Sequence, residues 1–93
     1  MILEVAILNI KKGQSQAFEI AFKTAEHFIS AMKGYLNHTL KKCMEDDDKY
    51  ILSVNWKTLE DHEIEFRTSD EYQKWKKLLH HFYESFPIVQ HYK

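Results

Sequence analysis

An α+β sandwich with elements in the order β–α–β–β–α–β is predicted by three observations. Residues 2–10 form an apolar run, and residues 15–32 repeat apolar side chains at three-to-four spacing. Two alternating segments, 35–44 and 50–56, flank an acidic turn and precede a second helical region. One antiparallel sheet with both helices packed on the same face accounts for that order.

In MILEVAILNI, Leu3, Val5 and Ile7 fill one face of the first strand while Ala6, Leu8 and Ile10 fill the other, so this strand is covered on both sides. In the first helix Phe18, Ala21, Phe22, Ala25, Phe28, Ile29 and Met32 make one buried stripe. Ser15 is placed to cap it, Gly34 to stop it, and His27 falls on the opposite, solvated face. From Tyr35 to Met44 the pattern sets Leu36, His38, Leu40 and Met44 on one face and Asn37, Thr39, Lys41 and Cys43 on the other. The turn Glu45-Asp46-Asp47-Asp48-Lys49 lacks the glycine and closing glutamate of an EF-hand loop and reads as a solvated hairpin.

The third strand runs from Tyr50 to Trp56, with Leu52, Val54 and Trp56 on one face and Ile51, Ser53 and Asn55 on the other. Thr58, with Asp61 three residues on, begins a helical region that sets Leu59, His62 and Phe66 on one face. Thr68-Ser69-Asp70-Glu71 restarts it, and Tyr72, Trp75, Leu78, Leu79 and Phe82 continue as an aromatic stripe. Pro87 ends the helix, and Ile88 to Tyr92 is a short β-like segment.

Ninety-three residues fit a single domain, 1–93. A chain this short buries only about 60–65% of its unfolded surface, which makes association a natural source of further stability. Cys43 is the single cysteine, so no internal disulfide forms, and a free thiol without an export signal suggests the cytoplasm. Thirteen Lys and Arg against 14 Asp and Glu leave no electrostatic footprint for nucleic acid. The apolar start has no basic region before it and is too short for a membrane span.

Candidate chemistry gathers between Tyr50 and Tyr83. His62 titrates near neutrality when unperturbed, which suits a general base; packing at a helix start, bonded to backbone, is the other reading. Trp56, Phe66, Tyr72 and Trp75 suit the walls of a site for a flat aromatic, and equally an ordinary small core. His38 suits a pocket or a subunit interface, or a satisfied buried imidazole. His80 and His81 point about 100° apart on a continuous helix and flank its apolar stripe, so solvation is expected and no metal site. Gly13 and Gly34 are the only glycines, which leaves no phosphate-cradling loop and no dinucleotide fingerprint.

The strand ending in Trp56, the stretch Leu59-Glu60-Asp61-His62 and the spacing Phe66-x-x-Ser69-x-x-Tyr72 resemble the antibiotic biosynthesis monooxygenase family of the dimeric α+β-barrel superfamily. The tail from His81-Phe82-Tyr83 through Phe86-Pro87 to His91-Tyr92 is similar to one of its subgroups. That resemblance implies a ferredoxin-like sandwich that dimerises into an α+β barrel, with a pocket between sheet and helices. It also implies oxidation of a small quinol or polyphenol by molecular oxygen, without flavin or metal. His62 would then be the base, with Trp56, Phe66, Tyr72, Trp75 and His38 around the substrate. Phe66 stands where many members carry a histidine, and Ala6, Phe66 and Lys76 stand at the places used by haem-degrading relatives, which disfavours haem. A non-catalytic aromatic-binding dimer and a proton-transfer isomerase are the alternatives.

Overall fold

The computed structural model describes residues Met1 to Lys93. Its elements are β1 (Ile2–Asn9), α1 (Ser15–Ser30), β2 (Tyr35–Lys42), β3 (Lys49–Trp56), a π-helical segment (Asp61–Phe66), α2 (Asp70–Leu79), a 3-10 turn (His80–Phe82) and β4 (Val89–Tyr92). The four strands form one sheet in the order β2-β3-β1-β4, and every neighbouring pair is antiparallel. This is the expected ferredoxin-like topology.

Strand parity decides which side chains meet the helices. Residues two apart share a face, and so do directly paired residues on neighbouring strands. Ala6 pairs with Leu52 and with Val89, while Glu4 pairs with Val54 and with His91. Glu4, Ala6, Leu8, Leu52, Val54, Trp56, Val89 and His91 therefore all face the helices. Phe18, Phe22, Ala25 and Ile29 of α1, with Trp75 and Leu79 of α2, close over them to form one buried cluster. Phe18, Val54 and Trp56 have no exposed surface at all.

Two caps form as the sequence suggests. The Asp61 N–H donates to Thr58 Oγ1 at 3.2 Å, and the Tyr72 N–H donates to Ser69 Oγ at 3.0 Å. Ser15 does not cap α1. It is the first helical residue, and its hydroxyl donates to Asp47 O and Asp48 Oδ1, tying the helix start to the acidic turn. Leu36 leaves its predicted face because a bulge falls between Tyr35 and Asn37, which leaves it out of the ladder. Leu59 is partly exposed, and α2 ends at Leu79, one residue before His80.

Candidate active site

The functional side chains come together because Glu4 carries a carboxylate into the core face of β1. It is 5% exposed, and Trp56 Nε1–H donates to its Oε1 at 2.9 Å. His62 Nε2 lies 3.3 Å from the same oxygen. The imidazole stacks on the Trp56 indole, ring centroids 5.4 Å apart and planes 23° apart. On its other side, His62 Nδ1 lies 2.8 Å from His91 Nε2, and that nitrogen lies 3.5 Å from Glu63 Oε1. A continuous chain of polar groups thus runs Glu4–His62–His91–Glu63, from the buried strand to a half-exposed carboxylate.

The π-helical segment places two of these groups. Its wider turn is visible in the Arg67 N–H bond to His62 O, five residues back. Within it His62 and Phe66 are both buried, while the intervening Glu63 stays outside to meet His91.

Burial shifts both members of the inner pair toward their neutral forms. Glu4 is pushed up to about 7 by burial, against the Trp56 hydrogen bond and the Arg67 charge, which favour its anion. His62 is pushed down to about 3, first by burial and then by the positive charges of Arg67 and His91. The Glu4–His62 contact is therefore a 3.3 Å approach of a carboxyl group to a neutral imidazole rather than an ion pair.

Both groups line a cavity of about 300 Å³ between sheet and helices, at the small end of ligand sites, which span about 300–1,000 Å³. Phe66, Tyr72, Trp75, Tyr83 and Phe86 supply aromatic surface, and Arg67 and His80 supply polar atoms. Of the residues singled out from the sequence, His62, Phe66, Tyr72 and Trp75 line this cavity. Trp56 lies behind it, fully buried, and touches the site through Glu4. His38 lies elsewhere, in a groove with Glu19, Lys23 and Lys42. Its Nδ1 meets the Tyr35 hydroxyl at 2.5 Å and its Nε2 meets Glu26 at 3.1 Å.

Sequence reasoning missed Glu4, His80 and His91. Glu4 had a signal in its parity, since it shares a face with Ala6, Leu8 and Ile10 inside an apolar strand. His91 had the same kind of signal relative to Val89. His80 had none, because its place depends on α2 giving way to a 3-10 turn. That turn swings His80 inward against Tyr72, Tyr83 and Phe86, with Nδ1 buried and unpartnered and its pKa lowered mainly by burial.

Donor atoms of His62, Glu63 and His91 fall within 4.8 Å of one another, close enough to surround a cation. The two imidazoles are already satisfied by each other at 2.8 Å.

A buried carboxyl–imidazole pair under an aromatic-walled cavity, on a ferredoxin-like sandwich, places the chain among small α+β proteins with a pocket between sheet and helices. The sequence model of the antibiotic biosynthesis monooxygenase family matches residues 1–78, and the chain belongs to that family. The match ends before the 3-10 turn and β4, so His80 and His91 lie outside it. The chain is similar to the uncharacterized protein YczJ of Bacillus subtilis, 56% identical over 93 residues, covering 100% of this chain and 98% of that one. A Bordetella bronchiseptica structure bearing the family's name is 28% identical with a TM-score of 0.95, covering 99% of this chain and 94% of the other. SnoaB of Streptomyces nogalater, a cofactor-independent oxygenase, shares the fold at a TM-score of 0.85 and 16% identity, covering 99% and 90% of the two chains.

Proposed function

We propose that this protein is a cofactor-independent monooxygenase that oxidises a small quinol or polyphenol with molecular oxygen, and that the Glu4–His62 pair is its base. The observation that carries this reading is a buried carboxyl group whose pKa is pushed up to about 7, 3.3 Å from a neutral imidazole, at an aromatic-walled cavity. A base poised near the working pH is what proton abstraction from a phenol requires. Membership of the family and the shared fold with an oxygenase support it.

The substrate supplies the electrons. Glu4 takes the phenolic proton, and the resulting phenolate passes one electron to oxygen. The phenoxyl radical and superoxide then join through a C–O bond at a hydrogen-bearing ring carbon ortho or para to a hydroxyl. Protonation of the peroxide, loss of that carbon's C–H proton and cleavage of the O–O bond release water and leave a carbonyl. The sum is phenol plus O2 giving quinone plus water. Phe66, Tyr72 and Trp75 stack and orient the ring, while Trp56 holds Glu4 through its indole N–H. The outer sheet face pairs two copies into a dimer.

Oxygen uptake by metal- and flavin-free protein, against a panel of naphthoquinols, anthrones and polyphenols, tests this. Saturable uptake is expected from the wild type, with a fall of about 10²–10⁴-fold in Glu4→Gln and in His62→Ala. Tight binding of these compounds with no uptake overturns the oxygenase in favour of an aromatic-binding dimer. Phe66, in place of the histidine that the family resemblance leads one to expect, favours that second reading.

A further inference from the structure

His62 is an unusual base, because burial and neighbouring positive charge oppose any state in which it holds a charge. Yet it bridges two groups, with Glu4 at Nε2 and His91 at Nδ1. Of the four, Glu4 and His62 are buried, whereas the side chains of His91 and Glu63 are 20% and 40% exposed. The chain is therefore graded from cavity to solvent.

We propose that His62, His91 and Glu63 form a proton conduit that empties Glu4 during turnover, an inference that rests on the oxygenase reading above. The oxidation removes two protons from the substrate, one from oxygen and one from carbon, and Glu4 is free for the second only after passing the first on, either to the peroxide directly or along His62 and His91. With Glu4 protonated, its O–H points at His62 Nε2 and the His62 Nδ1–H points at His91 Nε2. One concerted shift moves the Glu4 proton onto Nε2 and the Nδ1 proton onto His91. Glu4 is then an anion again, His62 is still neutral with its tautomer reversed, and His91 is an imidazolium beside the Glu63 carboxylate at 3.5 Å. No bond other than N–H and O–H changes, and the proton waits at the surface until peroxide or hydroxide takes one back from the site. Other charged or titratable groups lining the same cavity are Arg67 at the end of the π-helical segment, Tyr72 of α2, His80 of the 3-10 turn and Tyr83 after it.

The resting protein tests the conduit without any substrate. In ¹⁵N-histidine-labelled protein, His62 is expected to remain neutral from pH 5 to pH 9 and to change from the Nδ1–H to the Nε2–H tautomer near pH 7. Glu4→Gln should abolish the change. A His62 tautomer that ignores pH in the wild type, or an imidazolium at His62 near neutrality, overturns the proposal. Turnover gives a second test through His91→Gln, which retains a hydrogen-bond partner for Nδ1 but carries no proton. Steady-state quinol oxidation should slow about 10–100-fold at unchanged KM and recover with added imidazole buffer. A Glu4→Gln protein that is inactive beside a His91→Gln protein that is fully active removes the conduit and leaves the base. If Glu4→Gln also turns over normally, both readings fall.

Discussion

At the scale of single residues, the proposed mechanism makes the Glu4 carboxyl a link between catalysis and stability through one pKa. Proton abstraction needs the anion, so the rate should rise with pH through an acid limb centred near 7. Trp56 stabilises that anion with its indole N–H. Removing the donor in Trp56→Phe leaves an aromatic ring in the core but raises the Glu4 pKa, so the limb of the kcat/KM profile should move to higher pH. An unchanged limb would mean that Glu4 is not the group being titrated. Stability runs the opposite way. Folded Glu4 binds its proton more tightly than the unfolded carboxyl does, so stability is lost as pH rises from 4.5 to about 7. His62, with its pKa lowered, loses stability as pH falls from 6.5 toward about 3. Glu4→Gln removes only the first effect. Urea denaturation should therefore show the variant gaining on the wild type between pH 5 and pH 8, by on the order of 3 kcal/mol.

At the scale of elements, the π-helical segment is held in place by a glycine outside it. Gly34 has φ +84, a left-handed value, and a Cβ built there would lie 2.1 Å from Asp61 Oδ2 and 2.7 Å from Asp61 Cβ. The connection from α1 to β2 thus packs directly on the first residue of the segment, next to His62. Gly34→Ala should cost more than about 1 kcal/mol in chemical denaturation, since strain and clash add. It should also displace His62, seen as loss of its coupling to His91 in imidazole NMR. Loss of stability with His62 unmoved would show that the glycine serves only the turn. Gly34 was readable in the sequence as a helix stop, but its contact with Asp61 was not, because the two meet only through the fold. The same distinction separates what the chain's pattern revealed from what it hid. The α1 stripe, the caps at Thr58 and Ser69 and the parity of β3 depend on neighbours within a few positions, and they formed as read except that α1 ends at Ser30, two residues short of Met32. The polar chain joins β1, the π-helical segment and β4, its two histidines are 29 positions apart in the sequence, and no local period reports such a meeting. His62 was recognisable as chemistry, whereas its partners required the sheet register that pairs Glu4 with His91.

At the scale of the whole molecule, the sheet has one face covered by helices and one left open. Ile7 and Ile51 sit opposite each other in the central strands of that open face, 37% and 38% exposed. Leu3 and Val5 continue the same face of β1, and Tyr92 pairs with Leu3 at its β4 edge. An apolar patch across central strands is costly to leave in water, each large side chain being worth about 1.5–3 kcal/mol when fully buried. A second copy of the same face would supply matching apolar surface, and a two-fold arrangement would let each isoleucine pair work twice. Glu4 and His91 belong to the strands whose outer faces carry the patch, so in such a dimer pairing of the two sheets would stiffen the backbone that fixes the 2.8 Å and 3.3 Å contacts of His62. Sedimentation of the wild type should give twice the chain mass, and Ile51→Glu, which places a charge in the middle of the patch, should shift it to the monomer. The monomer should keep its helical circular dichroism but unfold at lower urea and lose most of its oxygen uptake. A wild type that sediments as a monomer would leave the open face without its partner, and the rigidity of the site would then have to come from the helices alone.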